Sequence, residues 1–123
     1  MSTETQHLTT TQVANRLVEL GRQGKVLEAE EELFADNVTC IEPSYGGPVV
    51  TGKQAAIEKG KQFAGEIEAV HGANITDPIV VGTWFSIGWT LEATLKEKGH
   101  TKLEEICVYN VKDGKIVSQQ FFY

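Results

Sequence analysis

Between Thr83 and Lys96 every second residue is apolar: Phe85, Ile87, Trp89, Leu91, Ala93 and Leu95 alternate with Trp84, Ser86, Gly88, Thr90, Glu92 and Thr94. Successive side chains of a strand point to opposite faces, so this period of two specifies a long strand with one buried and one open face. Val70 to Val81, Thr101 to Val111 and Lys115 to Tyr123 are predicted as strands too. Glu97-Lys98-Gly99-His100 and Lys112-Asp113-Gly114 read as hairpin turns, the second with the Asp-Gly signal of a tight connection.

Before Val70 the period is helical. Thr9-x-x-Gln12 has the spacing of a capping box, and Val13, Leu17 and Leu20 follow at helical intervals until Gly21 and Gly24. A second helix is predicted from about Lys25 to Phe34, with Glu28, Glu30, Glu31 and Glu32 forming an outward, solvated acidic face. Val38-Thr39-Cys40-Ile41 reads as a short strand ending at Glu42 and a Gly/Pro turn. Thr51-x-x-Gln54 repeats the capping-box spacing and opens a third helix with Ala56, Ile57, Phe63, Ala64 and Ile67. Helices first and a run of long antiparallel strands afterwards make an α+β fold. The 123 residues, 41% hydrophobic, suffice for one domain with a real core, residues 1–8 being loose.

The net charge of −6 and the scattered Lys and Arg exclude nucleic acid and an anionic membrane surface as partners. No apolar run approaches the roughly 20 residues of a spanning helix. The polar start lacks the regions of a signal peptide, so the expected location is cytoplasmic, with Cys40 and Cys107 reduced and buried.

Strand parity turns the pattern into a site. Glu42 shares its face with Val38 and Cys40, His71 with Ala73 and Ile75, and Glu105 with Leu103, Cys107 and Tyr109. The inward faces are therefore expected to collect Glu42, His71, Glu105 and Gln120, with Trp89, Tyr109 and Phe122 as walls. Buried carboxyls are harder to ionise and are the usual material of general acid–base chemistry. The bland alternatives are a Glu42 that accepts hydrogen bonds from the glycine turn or Tyr45, and a Glu105 ion-paired with a lysine or His71. No cofactor is expected, and no HxH or HxxxE spacing among Glu42, His71 and Glu105 supports a metal held by these three. Trp84, Ile106 and Val108 face outward, an apolar sheet face suited to a homodimer.

Phe34-Ala35-Asp36-Asn37 leading to Glu42-Pro43, then Thr51-Gly52-Lys53-Gln54-Ala55-Ala56-Ile57, then Asp113-Gly114-Lys115-Ile116-Val117-Ser118, occur in an order that resembles the nuclear transport factor 2-like superfamily. The resemblance is to its SnoaL-like and ketosteroid isomerase side and covers nearly the whole chain. It implies three N-terminal helices packed on a strongly curved, mainly antiparallel sheet, forming a cone with a pocket at its wide end. It also implies dimerisation through the outer sheet face. Glu42 falls where the isomerases carry an aspartate as general base. Their oxyanion-binding tyrosine and protonated aspartic acid fall near Leu17 and Cys107, which argues against steroid isomerisation. The cyclases' last-strand aspartate has no counterpart in Gln119-Gln120-Phe121-Phe122-Tyr123, which argues against that activity too.

Two functions are consistent with this reading. One is a cofactor-independent isomerase, lyase or cyclase on a small, apolar carbonyl compound. Glu42 would be its base, Glu105 or His71 its acid, and Gln120 and Tyr45 would orient the substrate. The other is a non-catalytic module that binds an apolar ligand in the same pocket or a partner on the sheet face.

Overall fold

The computed structural model describes residues 7–42 and 49–123. The chain runs α1 (Thr10–Arg22), α2 (Val26–Leu33), β1 (Phe34–Ile41), β2 (Val50–Thr51), α3 (Lys53–Glu66), β3 (Ile67–Ile75), β4 (Ile79–Val81), β5 (Trp84–Leu95), β6 (Gly99–Lys112) and β7 (Lys115–Phe122). Three helices pack on a curved sheet whose strands lie in the order β2-β1-β7-β6-β5-β3, with β4 paired to β5. Only β1 with β7 is a parallel pair among those described; the others are antiparallel.

The first capping box forms as spelled. The Gln12 amide donates to Thr9 Oγ1 at 3.1 Å, and the Thr9 amide donates to Gln12 Oε1 at 2.9 Å. The second does not. Thr51 pairs with Thr39 as part of β2, and Gly52 takes the N-cap of α3 without a side-chain bond. The Asp113-Gly114 turn has positive φ at both residues, 51° and 75°, the mirror-image geometry that matches the twist of paired strands. The expected strand Val70 to Val81 divides into β3 and β4, and β3 begins directly after α3.

The core lies between helices and sheet. Phe34, Phe85, Leu33, Ile116, Val13 and Val38 are its largest fully buried side chains, and Phe85 stacks on Tyr109 with ring centroids 4.7 Å apart. A second cluster, Leu91, Ala93 and Leu95, packs with Phe63 of α3 at the other end of β5. Trp89 touches both clusters.

Bulges decide which residues reach the interior. An extra residue in one strand breaks the two-residue alternation and sends everything beyond it to the opposite face. In β3 the pairing with β5 shifts between Ile67 and Ala69 and again between Val70 and Gly72. In β7 the pairing with β6 shifts after Ile116: Val111 opposes Ile116, but Asn110 opposes Ser118. Val117 is the extra residue.

Replacing Phe85 with alanine removes a fully buried ring stacked on Tyr109 of β6. The variant is expected to lose about 3–5 kcal/mol of unfolding free energy, measured by urea denaturation at neutral pH.

Candidate functional site

Glu42 follows β1 directly and, like Val38 and Cys40, belongs to the inner face. Its carboxylate Oε2 accepts from Lys59 Nζ at 2.9 Å, the Glu42 side chain being 22% exposed and that of Lys59 42%. Lys59 comes from the inner side of α3, three residues after buried Ala56 and four before Phe63. Glu105 lies half-buried on β6, opposite Trp89 of β5. Burial, with a smaller contribution from the charge of Glu42, pushes its carboxyl up to about 7. Two carboxyls thus share the concave face, one bonded to an ammonium and one inclined to keep its proton near neutrality.

Beneath them lies a polar inlay in the core. Cys40 Sγ donates to Gln119 Oε1 at 3.4 Å, and Gln119 Nε2 donates to the Tyr109 hydroxyl oxygen at 3.1 Å. Burial pushes the Cys40 and Cys107 thiols up to about 12, so both stay protonated at neutral pH. Burial also raises Tyr109 well above the phenol range. These groups are weak donors and neutral packing, not nucleophiles.

Three expected site residues are placed elsewhere. His71 sits at the second bulge of β3, which turns it outward: it is exposed, its Nε2 is 2.7 Å from Thr94 Oγ1, and its ring stacks on His100 at 5.2 Å. The bulge at Val117 likewise turns Gln120 and Phe122 to the outer sheet face, with Phe122 opposite Ile106. Gln119, buried, and Phe121, packed against the core, take the inner positions instead. Tyr109 is on the inner face as expected, but fully packed against Phe85 and not at an open wall. Trp89 is half-buried where the two clusters meet. Tyr45 lies outside the described residues.

Glu30 departs from the expected solvated face. It is 9% exposed, and Oε1 has no hydrogen-bond partner among the described residues. Gly60 of α3 makes room for it: a Cβ there would stand 3.0 Å from that oxygen. Burial pushes the carboxyl up to about 7. The signal was in the sequence, since Ala29, Glu30 and Leu33 recur at helical spacing. Glu28 and Glu31 do face solvent. Lys59 was the other residue missed, and its spacing from Ala56 and Phe63 carried the same kind of signal.

Among the described residues no group of three or more His, Cys, Asp or Glu side chains is arranged to hold a metal ion, and no helix is long and apolar enough to cross a membrane. The open surface hollows at His7, Leu8 and Gly114 and at Gln12, Arg16 and Glu32 are lined by none of the inner-face carboxyls.

Helices on one side of a curved sheet, with ionisable groups on the concave face, define an α+β class of which this chain is one example. Residues 8–123 match the SnoaL-like domain family, and the chain belongs to that family. The structure is similar to that of a proposed SnoaL-like polyketide cyclase of Mesorhizobium loti, with 32% identity, a TM-score of 0.87, and coverage of 94% of this chain and 100% of that one. A hypothetical protein of Catenulispora acidiphila with a ketosteroid isomerase-like fold, solved with trimethylamine, shares 21% identity at a TM-score of 0.73, covering 94% and 87%. A cystatin-like fold protein of unknown function from Xanthomonas campestris shares 15% at 0.76, covering 94% and 90%. The last two show likeness of fold alone. Comparison with the curated proteins gives no match.

Glu30 makes stability depend on pH. Its folded value of about 7 exceeds the ordinary 4.5, so its contribution is most favourable below about pH 4.5 and declines until about pH 7. Glu30→Gln is expected to match the wild type near pH 4.5 and to exceed it by about 3 kcal/mol at pH 8, from about 2.5 pH units at 1.36 kcal/mol each. Urea denaturation at the two pH values measures this.

Proposed function

We propose that the protein is a cofactor-independent acid–base enzyme that moves a proton on a small, mostly apolar carbonyl compound. The pairing of Glu42 and Glu105 on the concave face carries this reading. Glu42, the ionised member, takes a proton from the carbon next to the carbonyl. Glu105, the half-buried member, donates from its protonated form. Two carboxyls in unlike environments divide the base and acid roles between them. Trp89, half-buried opposite Glu105, supplies a flat apolar surface for the substrate body. General acid–base assistance of this kind contributes roughly 10²–10⁴ in rate.

The test is exchange of α-protons for deuterium on a bicyclic ketone such as 2-tetralone, followed by proton NMR. Glu42→Gln is expected to lose roughly 10²–10⁴ of the wild-type rate. The rate is expected to fall as pH rises through about 7, where Glu105 gives up its proton, and Glu105→Gln to abolish that fall. Wild-type exchange in Glu42→Gln would sink the assignment.

One observation favours a second reading, a non-catalytic ligand-binding module: Glu42 already has a partner in Lys59 at 2.9 Å, as a structural carboxylate would. Ketone binding by the wild type without any proton exchange would select it.

The same reading includes a homodimer through the outer sheet face. Ile106 is 56% exposed beside Phe122 at 45%, and Ile79, Val81 and Trp84 extend the exposed apolar surface along β4 and β5. Ile106→Asp is expected to turn a dimer into a monomer in sedimentation velocity; a wild type that sediments as a monomer at high concentration would contradict the proposal.

A further inference from the structure

We infer that Lys59 is the oxyanion-stabilising cation of this site, carried on α3 and handed from Glu42 to the substrate oxygen as the proton moves. The inference rests on the acid–base reading above and deepens it. It adds a cation to the two carboxyls of that reading, since a buried, protonated thiol such as Cys107 stabilises a developing alkoxide poorly.

The argument is one of charge conservation. In the resting site the Lys59 ammonium bonds to the Glu42 carboxylate at 2.9 Å. When Glu42 takes the α-proton, the carbon–hydrogen bond breaks, its electron pair forms the carbon–carbon double bond of an enolate, and the carbonyl π pair moves to oxygen. The negative charge has then left Glu42 for the substrate oxygen, to which the protonated Glu105 donates a hydrogen bond without giving up its proton. An ammonium that faced a carboxylate now faces a neutral acid and a new anion. It transfers its hydrogen bond and stays protonated throughout. Returning the proton from Glu42 to the same or a conjugated carbon restores the resting pair, so the cycle needs no co-reactant.

Three features suit Lys59 to this transfer. The pair is partly open to water, the lysine side chain being 42% exposed, and ion pairs so exposed add little net stability, so the ammonium is released at small cost. A lysine carries a compact charge on a flexible stem, unlike a fixed guanidinium fork, so it can follow the charge over a short distance. Its charge also slightly offsets the burial that raises the Cys40 thiol, in the polar inlay under the site. The interaction with an anionic oxygen exists in the enolate-like state and not with the neutral ketone, which is the condition for raising kcat instead of tightening ground-state binding. The substrate class that follows is a neutral ketone that enolises, with no anionic group of its own to compete for the lysine.

Glu42→Gln mimics the protonated base and should free Lys59. The probe is 2-naphthol, whose naphtholate resembles an enolate, with binding and ionisation followed by its fluorescence. Glu42→Gln is expected to bind naphtholate at least tenfold more tightly than the wild type; the double variant Glu42→Gln/Lys59→Met should lose that gain, and Glu42→Gln/Lys59→Arg should keep most of it. In the 2-tetralone exchange assay Lys59→Met is expected to lose about 10²–10³ in kcat with KM little changed, its fold checked by circular dichroism. Equal naphtholate affinity in Glu42→Gln and the Lys59→Met double variant, or no binding by Glu42→Gln at all, overturns the inference. A Lys59→Met enzyme with wild-type kcat, alongside an inactive Glu42→Gln, overturns it while leaving the acid–base reading intact. An active Glu42→Gln overturns that reading itself.

Discussion

The pairing of β5 with β6 runs without a break from Trp84 opposite Asn110 to Leu95 opposite Gly99, and the rest of the molecule is hung on it. Because no residue is inserted along these twelve pairs, the inner-face series of each strand stays in phase from end to end. Phe85 and Tyr109 stack at one end, Trp89 faces Glu105 in the middle, and Leu91, Ala93 and Leu95 meet α3 beyond. A one-residue slip would carry Glu105 to solvent and Glu104 inward, moving a carboxyl out of the site and an unpaired charge into the core. The neighbouring strands do contain insertions. Curvature therefore enters through β3, β1 and β7 while the central hairpin keeps its register.

Desolvation then gives the carboxyls their distinct characters. Glu42 retains water access and a lysine; Glu105 is half-covered and feels a neighbouring negative charge; Glu30 is enclosed between α2 and α3. The same functional group occurs in three environments, and burial, more than charge pairing, sets apart the two whose protons are held to about pH 7.

The order of elements and the α+β architecture were legible because periodicity is a local property. So was the inward placement of Glu105, which lies on a strand whose alternation is unbroken. His71, Gln120 and Phe122 were misplaced for a single reason: parity propagates only until a bulge; Val117 carries no side-chain signature of one, and Gly72, a strand glycine beside the bulge in β3, is such a sign that went unread. Glu30 and Lys59 were missed differently. Glu30 was assigned outward by its type and Lys59 was given no place, whereas Gly60 across the interface provides the space that lets the Glu30 carboxyl stay inside. That space is a tertiary fact, invisible from α2 alone.

The parallel pairing of β1 with β7 joins segments far apart in the chain, Cys40 lying beside Gln119, 79 residues later. β7 follows every other strand in sequence yet occupies a middle position in the sheet, between β1 and β6. Until it inserts, the strand that leads to Glu42 has no neighbour on that side and cannot be aligned with the hairpin bearing Glu105. Closing so long a loop is slow compared with helix and hairpin formation. β7 joins β6 through the local Asp113-Gly114 hairpin, so it is the long-range pairing of β1 with β7 that brings the two halves of the concave face into register.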